Sequence, residues 1–234
     1  MKSKIIIFTD LDGTLLDKTK FHFRQAKKYI NELISKNIII IPISSKTEKE
    51  IRLFLREIKH NLPFVTENGS EIYNLNLLKK TFPRKITLAR NKLKIYEIFN
   101  KKIDPQILEN CEFVFKMTKR KQTKILGLKG KKLNASLHRK FTFPFIFRGS
   151  KFKKNKLLKD TNKMGLNILE GGRVMNLGDK IDKGYAVNKI LKLTKNKLKS
   201  KIHTIAVGDN SNDLSMLNIS CLLYTSDAAD DVIS

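Results

Sequence analysis

The chain has 234 residues, of which 41% are hydrophobic, and a formal net charge of +26. This hydrophobic content is enough to build a packed core and excludes a disordered chain. The longest apolar runs, residues 5–8 and 38–43, are too short to cross a bilayer, so no membrane partner is expected. Two cysteines, Cys111 and Cys221, do not make a disulfide framework, and residues 1–4 lead directly into a strand, so no signal peptide is expected. These features predict a cytoplasmic protein.

The high positive charge has two interpretations. A basic protein can bind nucleic acid or another polyanion. However, only nine of the 48 basic residues are Arg, and the abundant Lys, Ile and Asn all have AT-rich codons, so genome composition alone can produce this bias. The basic residues are scattered and lack the interleaved aromatic residues of a stacking surface. We therefore expect no nucleic-acid partner, although a basic nucleic-acid-binding protein with a degenerate site remains the alternative from a different class.

The first third of the chain alternates buried strands with amphipathic helices. The predicted elements are strands at 4–9, 38–43 and 64–65, helices at 23–35 and 48–58, and an extended segment at 70–73. This alternation predicts an α/β fold with a parallel sheet. Polar loops at 10–14 and 44–47 follow two of the strands. Because ligands bind outside the carboxyl ends of such strands, both loops are expected to belong to one site.

The middle of the chain has a different pattern of predicted elements. We predict helices at 93–99 and 157–166 and strands at 113–117, 124–128, 143–148 and 173–177. Strands and helices mix here without strong loop motifs, which indicates an inserted α+β domain. The predicted domains are therefore a core formed by residues 1–82 and 178–234, and an insert at 83–177.

The core resumes after the insert. We predict a helix at 185–193 and a buried strand at 202–207, followed by a polar loop at 208–213. After Leu217 the sheet should gain another strand and helix, but the sequence instead turns to an acidic run at 227–231. We therefore expect a truncated or aberrant C-terminal end without that final strand.

Asp10 and Asp12 are the first candidate catalytic residues. Two carboxylates two residues apart, directly after a strand, can point into one site. A carboxylate that attacks phosphorus forms an aspartyl-phosphate, and a second acid must then protonate the leaving alcohol and activate water. Mg²⁺, which takes oxygen ligands, would neutralise the repulsion between carboxylate and phosphate. Gly13 would allow the backbone to approach the phosphate. A polar turn or a fragment of a calcium-binding loop explains the same residues.

Three further sites support this chemistry but have structural explanations of their own. Asp209 could complete the metal site with support from Asp213, or the 208–213 loop could simply cap a helix. Ser44 could hold phosphate oxygens together with the amides of the following helix, or it could be an ordinary N-cap. Lys183 could bind the transferring phosphoryl group, or it could be one of many solvated surface lysines.

Taken together, the 10–14 loop, Ser44, residues 183–184 and the 208–213 loop resemble the four ordered motifs of the haloacid dehalogenase superfamily. The insert resembles the cap of its Cof-like (IIB) members. The resemblance implies a Rossmann-like parallel-sheet core with helices on both faces, plus an inserted α+β cap. It also implies that Asp10 is the nucleophile and Asp12 the general acid/base. Mg²⁺ would be held by Asp10, the backbone carbonyl of Asp12 and Asp209, while Ser44 and Lys183 would bind the phosphoryl group.

A narrower resemblance rests on the motifs at 8–17, 44–47, 67–69, 171–173 and 182–184. Together they resemble the mannosyl-3-phosphoglycerate phosphatases, and the Ser-Lys-Thr run at 45–47 is the most telling. The resemblance implies hydrolysis of mannosyl-3-phosphoglycerate to mannosylglycerate and phosphate. Glucosyl-3-phosphoglycerate, sucrose phosphate and a phosphomutase reaction remain alternatives on the same fold.

The expected partner is a small phosphorylated sugar acid, and both a monomer and a homodimer stay open. The predicted substrate-binding residues are Gly13, Thr14, Lys46, Arg173 and Asn212. Of these, Lys46 and Arg173 are candidates for the glycerate carboxylate, which suits Arg in particular. Two positions of the insert depart from the family pattern. Phe143 stands where an acidic residue before a proline is expected, and Asn176 stands where a His is common.

Overall fold

The computed structural model describes residues 3–16, 24–197, 201–220 and 222–225. Phe23, Cys221 and the acidic run at 227–231 lie outside the described residues. The chain forms two compact units. The first unit comprises the described parts of Met1–Ser45, Ile51–Leu88 and Asp182–Ser234, and the second comprises Lys46–Glu50 and Ala89–Ile181. Over the described ranges, no helix is both long and apolar enough to cross a membrane.

Helices and strands are interspersed along the chain. In chain order they are β1 (Ser3–Thr9), α1 (Arg24–Ser35), β2 (Ile39–Pro42), α2 (Glu48–Ile58), β3 (Phe64–Thr66), β4 (Glu71–Tyr73), β5 (Lys85–Thr87), α3 (Lys92–Lys102), α4 (Pro105–Leu108), β6 (Cys111–Phe113), α5 (Lys119–Leu126), α6 (Gly130–Leu137), β7 (Phe143–Phe147), α7 (Lys151–Lys163), β8 (Leu166–Glu170), β9 (Met175–Asp179), α8 (Lys183–Lys197), β10 (Lys201–Gly208), α9 (Leu214–Leu217) and β11 (Leu222–Thr225).

The first unit is built on a parallel sheet with the strand order β11-β10-β1-β2. Successive residues of β2 face opposite sides, so Ile40 packs in one apolar cluster and Ile41 in another. The cluster around Ile40 includes buried residues of α1 and α2, and the cluster around Ile41 includes residues of α8 and α9. Helices therefore cover both faces of the sheet, which confirms the predicted α/β core.

A small antiparallel sheet, in the order β3-β4-β5, completes the first unit. It joins the edge of the parallel sheet through one parallel bridge between Ile43 and Val65. The turn between β3 and β4 therefore lies next to the carboxyl end of β2.

The second unit has an antiparallel sheet in the order β6-β7-β9-β8. Its core is dominated by aromatic and aliphatic side chains of this sheet, among them Phe113 and Phe145, packed with Ile95 and Phe99 of α3 and with Leu157 of α7. The α+β character expected of the insert is present. The insert begins and ends at 88–89 and 181–182, a few residues beyond the sequence-based boundaries, and the short segment Lys46–Glu50 also belongs to the second unit.

One predicted strand of the insert is wrong. Residues 124–126 belong to helix α5, because Thr118 caps its start by accepting a hydrogen bond from the Lys121 amide at 3.4 Å. Gly127 ends the helix in the left-handed conformation, with φ 66°. A short apolar run such as 125–128 has no periodicity that separates helix from strand.

Three other boundaries in the insert differ from the prediction. The 113–117 strand ends at Phe113, and a 3₁₀ turn follows at Val114–Lys116. The helix predicted at 157–166 spans Lys151–Lys163 instead. Ser150 is its N-cap, and Gly165, with a positive φ, ends the helical conformation before β8. The 173–177 strand begins two residues later, at Met175, after a turn closed by the Gly171 amide and the Val174 carbonyl.

The expectation of a missing final strand is also wrong. Residues Leu222–Thr225 form β11, which pairs in parallel with β10 and extends the sheet by one strand. The residues after Thr225, including the acidic run, are outside the described part of the chain.

Candidate active site

The site lies where two neighbouring strands of the first unit end. Asp10 directly follows β1, and its amide donates to the carbonyl of Val207 on β10 at 2.9 Å. Because β1 and β10 are parallel and paired in register, the loops that follow them emerge at the same edge of the sheet. This arrangement brings Asp10 beside the loop that carries Asp209 and Asp213, although about 200 residues separate them in sequence.

A buried lysine lies between two of these carboxylates. Lys183 is the first residue of α8 and is 1% exposed, and its Nζ is 2.6 Å from Oδ1 of Asp10. The same Nζ also donates to Oδ1 of Asp213. Burial alone would lower the pKa of Lys183, but the two carboxylates outweigh it and raise the pKa. The ammonium is therefore a fixed positive charge, and the surface-lysine interpretation is wrong.

Asp10 is nearly as well buried. Burial raises the pKa of its carboxyl from 3.8 to about 6, while Lys183 opposes the shift and the charges of Asp213 and Asp12 add to it. A carboxylate in this setting is poorly solvated and has no water shell to lose before it attacks an electrophile. This is the environment in which a side-chain carboxylate can act as a nucleophile.

The loop after β10 is clamped by Asp213. Its Oδ2 accepts hydrogen bonds from the amides of Asp209 and Asn210 at 3.1 and 3.0 Å. Gly208 is needed for this packing, because a Cβ at that position would be only 2.6 Å from the Cβ of Asp213. Since both oxygens of Asp213 already accept hydrogen bonds, this residue holds the loop and Lys183 in place.

The carboxylates form a cluster that suits a hard cation. Asp10, Asp209 and Asp213 can each offer an oxygen, and these oxygens lie within 4.8 Å of one another. The donor set contains no nitrogen or sulfur, which matches the preference of Mg²⁺ for oxygen ligands. The repulsion that helps to raise the pKa of Asp10 is also what a dication would relieve. The residues present therefore fit Mg²⁺. Because both oxygens of Asp213 already accept hydrogen bonds, Asp10 and Asp209 are the carboxylates available as ligands.

The loop that follows Asp10 turns tightly. Gly13 has a φ of 83°, which favours glycine, and its amide donates to the Leu16 carbonyl at 2.8 Å. The amides of Leu15 and Leu16 both donate to the carbonyl of Leu11. Oγ1 of Thr14 is buried and has no hydrogen-bond partner among the described residues. The loop thus holds Asp12 and Thr14 close to Asp10.

Ser44 and the turn between β3 and β4 complete the site. The sequence predicts this turn but not its contact with the acidic loop. Ser44 is fully buried, its amide donates to the Val65 carbonyl, and its own carbonyl accepts from the amide of Asn68 at 3.0 Å. Asn212 donates through Nδ2 to Oδ1 of Asn68 at 3.3 Å. As a site motif, residues 67–69 are indicated by sequence only through the family resemblance. Its signal was an Asn-Gly pair after a short strand, which is typical of a turn with positive φ.

Comparisons with known proteins agree with this geometry. A family model for haloacid dehalogenase-like hydrolases matches residues 7–233. The chain belongs to the haloacid dehalogenase-like hydrolase family. It is similar to the glucosyl-3-phosphoglycerate/mannosyl-3-phosphoglycerate phosphatase of Persephonella marina, with 30% identity over 222 residues that cover 91% of this chain and 81% of the relative. The enzyme of the same description from Methanococcoides burtonii is 29% identical over 231 residues, which cover 92% and 81%.

A solved structure extends the likeness to the fold. A haloacid dehalogenase-like hydrolase from B. subtilis matches 97% of this chain and 96% of its own with a TM-score of 0.67, at 15% sequence identity. At this identity the match shows the fold alone. The family model and the phosphatase names of the two sequence relatives together make this chain a phosphatase.

The structure of this haloacid dehalogenase-like hydrolase assembles most predicted site residues in the first unit. These are Asp10, Asp12, Gly13, Thr14, Ser44, Lys183, Asp209, Asn212 and Asp213. The two predicted carboxylate-binding residues belong to the second unit. Lys46 lies 3.9 Å from Glu50, and the exposed Arg173 donates to the carbonyl of Leu126. The two atypical residues, Phe143 and Asn176, are buried in the same unit.

Ionisation of Asp10 should make the chain less stable as pH rises. Its pKa is about 6 in the folded chain against an ordinary value of 3.8, so between these values the folded state keeps a proton that the unfolded state has lost. Its contribution to the free energy of unfolding then falls by a few kcal/mol from about pH 4 to pH 6. We expect urea unfolding in EDTA to show this fall in the wild type and a smaller one in Asp10→Asn.

Mg²⁺ gives the complementary measurement. A cation that binds the ionised carboxylates of the folded state stabilises that state, and more so at pH 7 than at pH 5. We expect Mg²⁺ to raise the melting temperature of the wild type at pH 7 and to have a much smaller effect on Asp10→Asn. Equal stabilisation of both proteins would contradict a metal site that includes Asp10.

Proposed function

We propose that this phosphatase is Mg²⁺-dependent and hydrolyses the phosphate ester of a small sugar acid, with mannosyl-3-phosphoglycerate as the first candidate. The observation that carries the proposal is the buried Asp10 carboxylate, held 2.6 Å from the Lys183 ammonium and beside the carboxylates of Asp209 and Asp213. The names of the two relatives support the substrate class.

In the first half of the reaction, a carboxylate oxygen of Asp10 attacks phosphorus. The bond between phosphorus and the ester oxygen breaks, and Asp12 gives its proton to the departing alcohol. Lys183 stabilises the charge that develops on the phosphoryl oxygens and orients Asp10 through their ion pair. Ser44 and the amides of the 10–14 loop supply further hydrogen bonds to these oxygens.

In the second half, Asp12 takes a proton from water and the water oxygen attacks phosphorus. The bond to Asp10 breaks, which releases inorganic phosphate and restores the carboxylate. Bound Mg²⁺ would neutralise negative charge between the phosphate and the carboxylates. Asp10, the carbonyl of Asp12, and Asp209 would hold it, and Asp213 would keep the loop of Asp209 in position.

The relatives also name a second substrate, glucosyl-3-phosphoglycerate, which keeps that compound as the main alternative. The two substrates differ only in the sugar, so the chemistry at Asp10 would be the same for both. A polyanion-binding function fits the site poorly, because the carboxylate cluster would repel a nucleic-acid backbone. We further propose that the enzyme is cytoplasmic and acts in mannosylglycerate synthesis.

A substrate panel tests the proposal. Phosphate release is measured with mannosyl-3-phosphoglycerate, glucosyl-3-phosphoglycerate, sucrose phosphate and simple hexose phosphates, each with Mg²⁺ or with EDTA. We expect Mg²⁺-dependent release that is fastest with mannosyl-3-phosphoglycerate. Preference for the glucosyl compound would support the alternative substrate. Release that persists in EDTA would refute the metal dependence, and no release from any ester would refute the phosphatase mechanism at this site.

A further inference from the structure

The turn between β3 and β4 has an unusual backbone. Glu67, Asn68 and Gly69 have φ values of 46°, 59° and 105°, so three successive residues lie in the left-handed region. Residues other than glycine rarely adopt this backbone conformation, and Asn is among the few that tolerate it. Such backbone persists only where the surrounding structure holds it, and the turn is fixed by hydrogen bonds between Ser70 and the residues at 66–67.

This turn contacts three other segments of the site. The backbone amide of Asn68 donates a hydrogen bond to the Ser44 carbonyl at 3.0 Å. Gly69 packs against the start of α8, because a Cβ there would collide with the Asp182 carbonyl and lie 3.5 Å from the amide nitrogen of Lys183. The side chain of Asn68 receives the hydrogen bond from Asn212. One short segment thus joins the loops of Ser44, Lys183 and the acidic cluster.

The hydrogen-bonded side-chain amides of Asn68 and Asn212 are not fully satisfied: each has one polar atom without a partner among the described residues. Nδ2 of Asn68 and Oδ1 of Asn212 are buried and have no hydrogen-bond partner among the residues that the structure describes. If the oxygen and nitrogen of both side-chain amides were exchanged, one donor and one acceptor of the pair would still lack a hydrogen-bond partner. A pair that served stability alone would be expected to satisfy its buried polar atoms. The pair lies directly beside the acidic loop, where its geometry can position the site.

We infer that Asn68 is a positioning residue for phosphoryl transfer, which sets the distance between Ser44 and the loop of Asp209 and Asp213 through its bond to Asn212. The inference rests on the proposed function, since it assumes that these loops act together on one phosphoryl group. The alternative is that Asn68 only favours the turn. The two roles predict opposite effects of glycine, which adopts positive φ more easily than Asn but lacks the amide.

The test compares Asn68→Gly with Asn74→Gly. Asn74 is a matched control because it lies in the same unit with a φ of 60°, and its side-chain amide donates to Asn61 and Leu62, which belong to no site loop. We expect kcat of Asn68→Gly to fall about 10- to 100-fold with KM changed far less, since a misplaced group costs mainly the chemical step. Asn74→Gly should stay within about twofold of wild type. Equal activity of the two variants overturns the inference.

A double variant tests whether Asn68 acts through Asn212. If it does, Asn68→Gly combined with Asn212→Ala should be no slower than the slower single variant, because both changes remove one interaction. Rate losses that multiply would overturn that route. Wild type and Asp10→Asn are measured in the same assay. Wild-type turnover that depends on Asp10, together with an active Asn68→Gly, rejects only the inference. A wild type without turnover rejects the proposed function and the inference with it.

Discussion

Asp10→Asn should lose at least about 10⁴-fold in kcat while it stays folded, because the amide oxygen of Asn is a far weaker nucleophile than a carboxylate. The change keeps the size and shape of the side chain, and Lys183 keeps Asp213 as its second partner. Circular dichroism and a melting curve check the fold, and phosphate release at saturating substrate measures kcat.

Glu32→Gln is the control for this variant. It removes a carboxylate from the surface of α1 in the same unit, where Glu32 pairs with its neighbour Lys36 at 2.8 Å. We expect wild-type kcat, because exposed pairs of this kind contribute little. An Asp10→Asn protein with wild-type turnover would show that the nucleophile lies elsewhere.

Lys183→Met should damage both stability and activity. It leaves the buried carboxylates of Asp10 and Asp213 side by side without their cation, which is expected to cost about 3–5 kcal/mol. Loss of the charge that faces the transferring phosphoryl group should lower kcat by about 10²–10³-fold in the protein that remains folded. Urea unfolding and phosphate release measure the two effects.

The pH dependence separates this effect from a simple packing defect. Without the ammonium, the pKa of Asp10 should rise further, and protonation at pH 5 should relieve most of the repulsion between the two carboxylates. The loss of stability should therefore be smaller at pH 5 than at pH 8. Lys189→Met, on the exposed side of the same helix, is the control and should change neither property. A loss of stability that does not vary with pH would mean that packing, not charge, explains the effect.

The fold of the first unit could be predicted because its pattern is strong. Strands such as β1 and β2 are continuous apolar runs that end in polar loops, and α2 has a clear apolar stripe of Ile51, Phe54, Leu55 and Ile58. The second unit could be predicted only in outline. Helices such as α3 and α7 have only a weak apolar stripe, so caps such as Asn91 and Ser150, and not periodicity, decide where they begin.

The site was predictable as a set of loops but not as a geometry. Spacing placed Asp10 and Asp209 at strand ends, and parallel pairing then brought them together. Nothing in the sequence distinguished Lys183 by its environment from the other lysines, since its burial depends on the packing of α8. The contact between Asn68 and Asn212 joins residues 144 positions apart, and only the folded chain reveals it.

The central claim is that Asp10 carries the phosphoryl group during turnover. The most direct measurement is acid quenching of the enzyme during the reaction, followed by borohydride reduction and peptide mass spectrometry of the segment that contains residue 10. An aspartyl-phosphate is reduced to homoserine, so we predict homoserine at position 10 in the wild type and none in Asp10→Asn. Homoserine at Asp12 or another acidic residue, or rapid phosphate release with unmodified Asp10 at every quench time, would contradict the account.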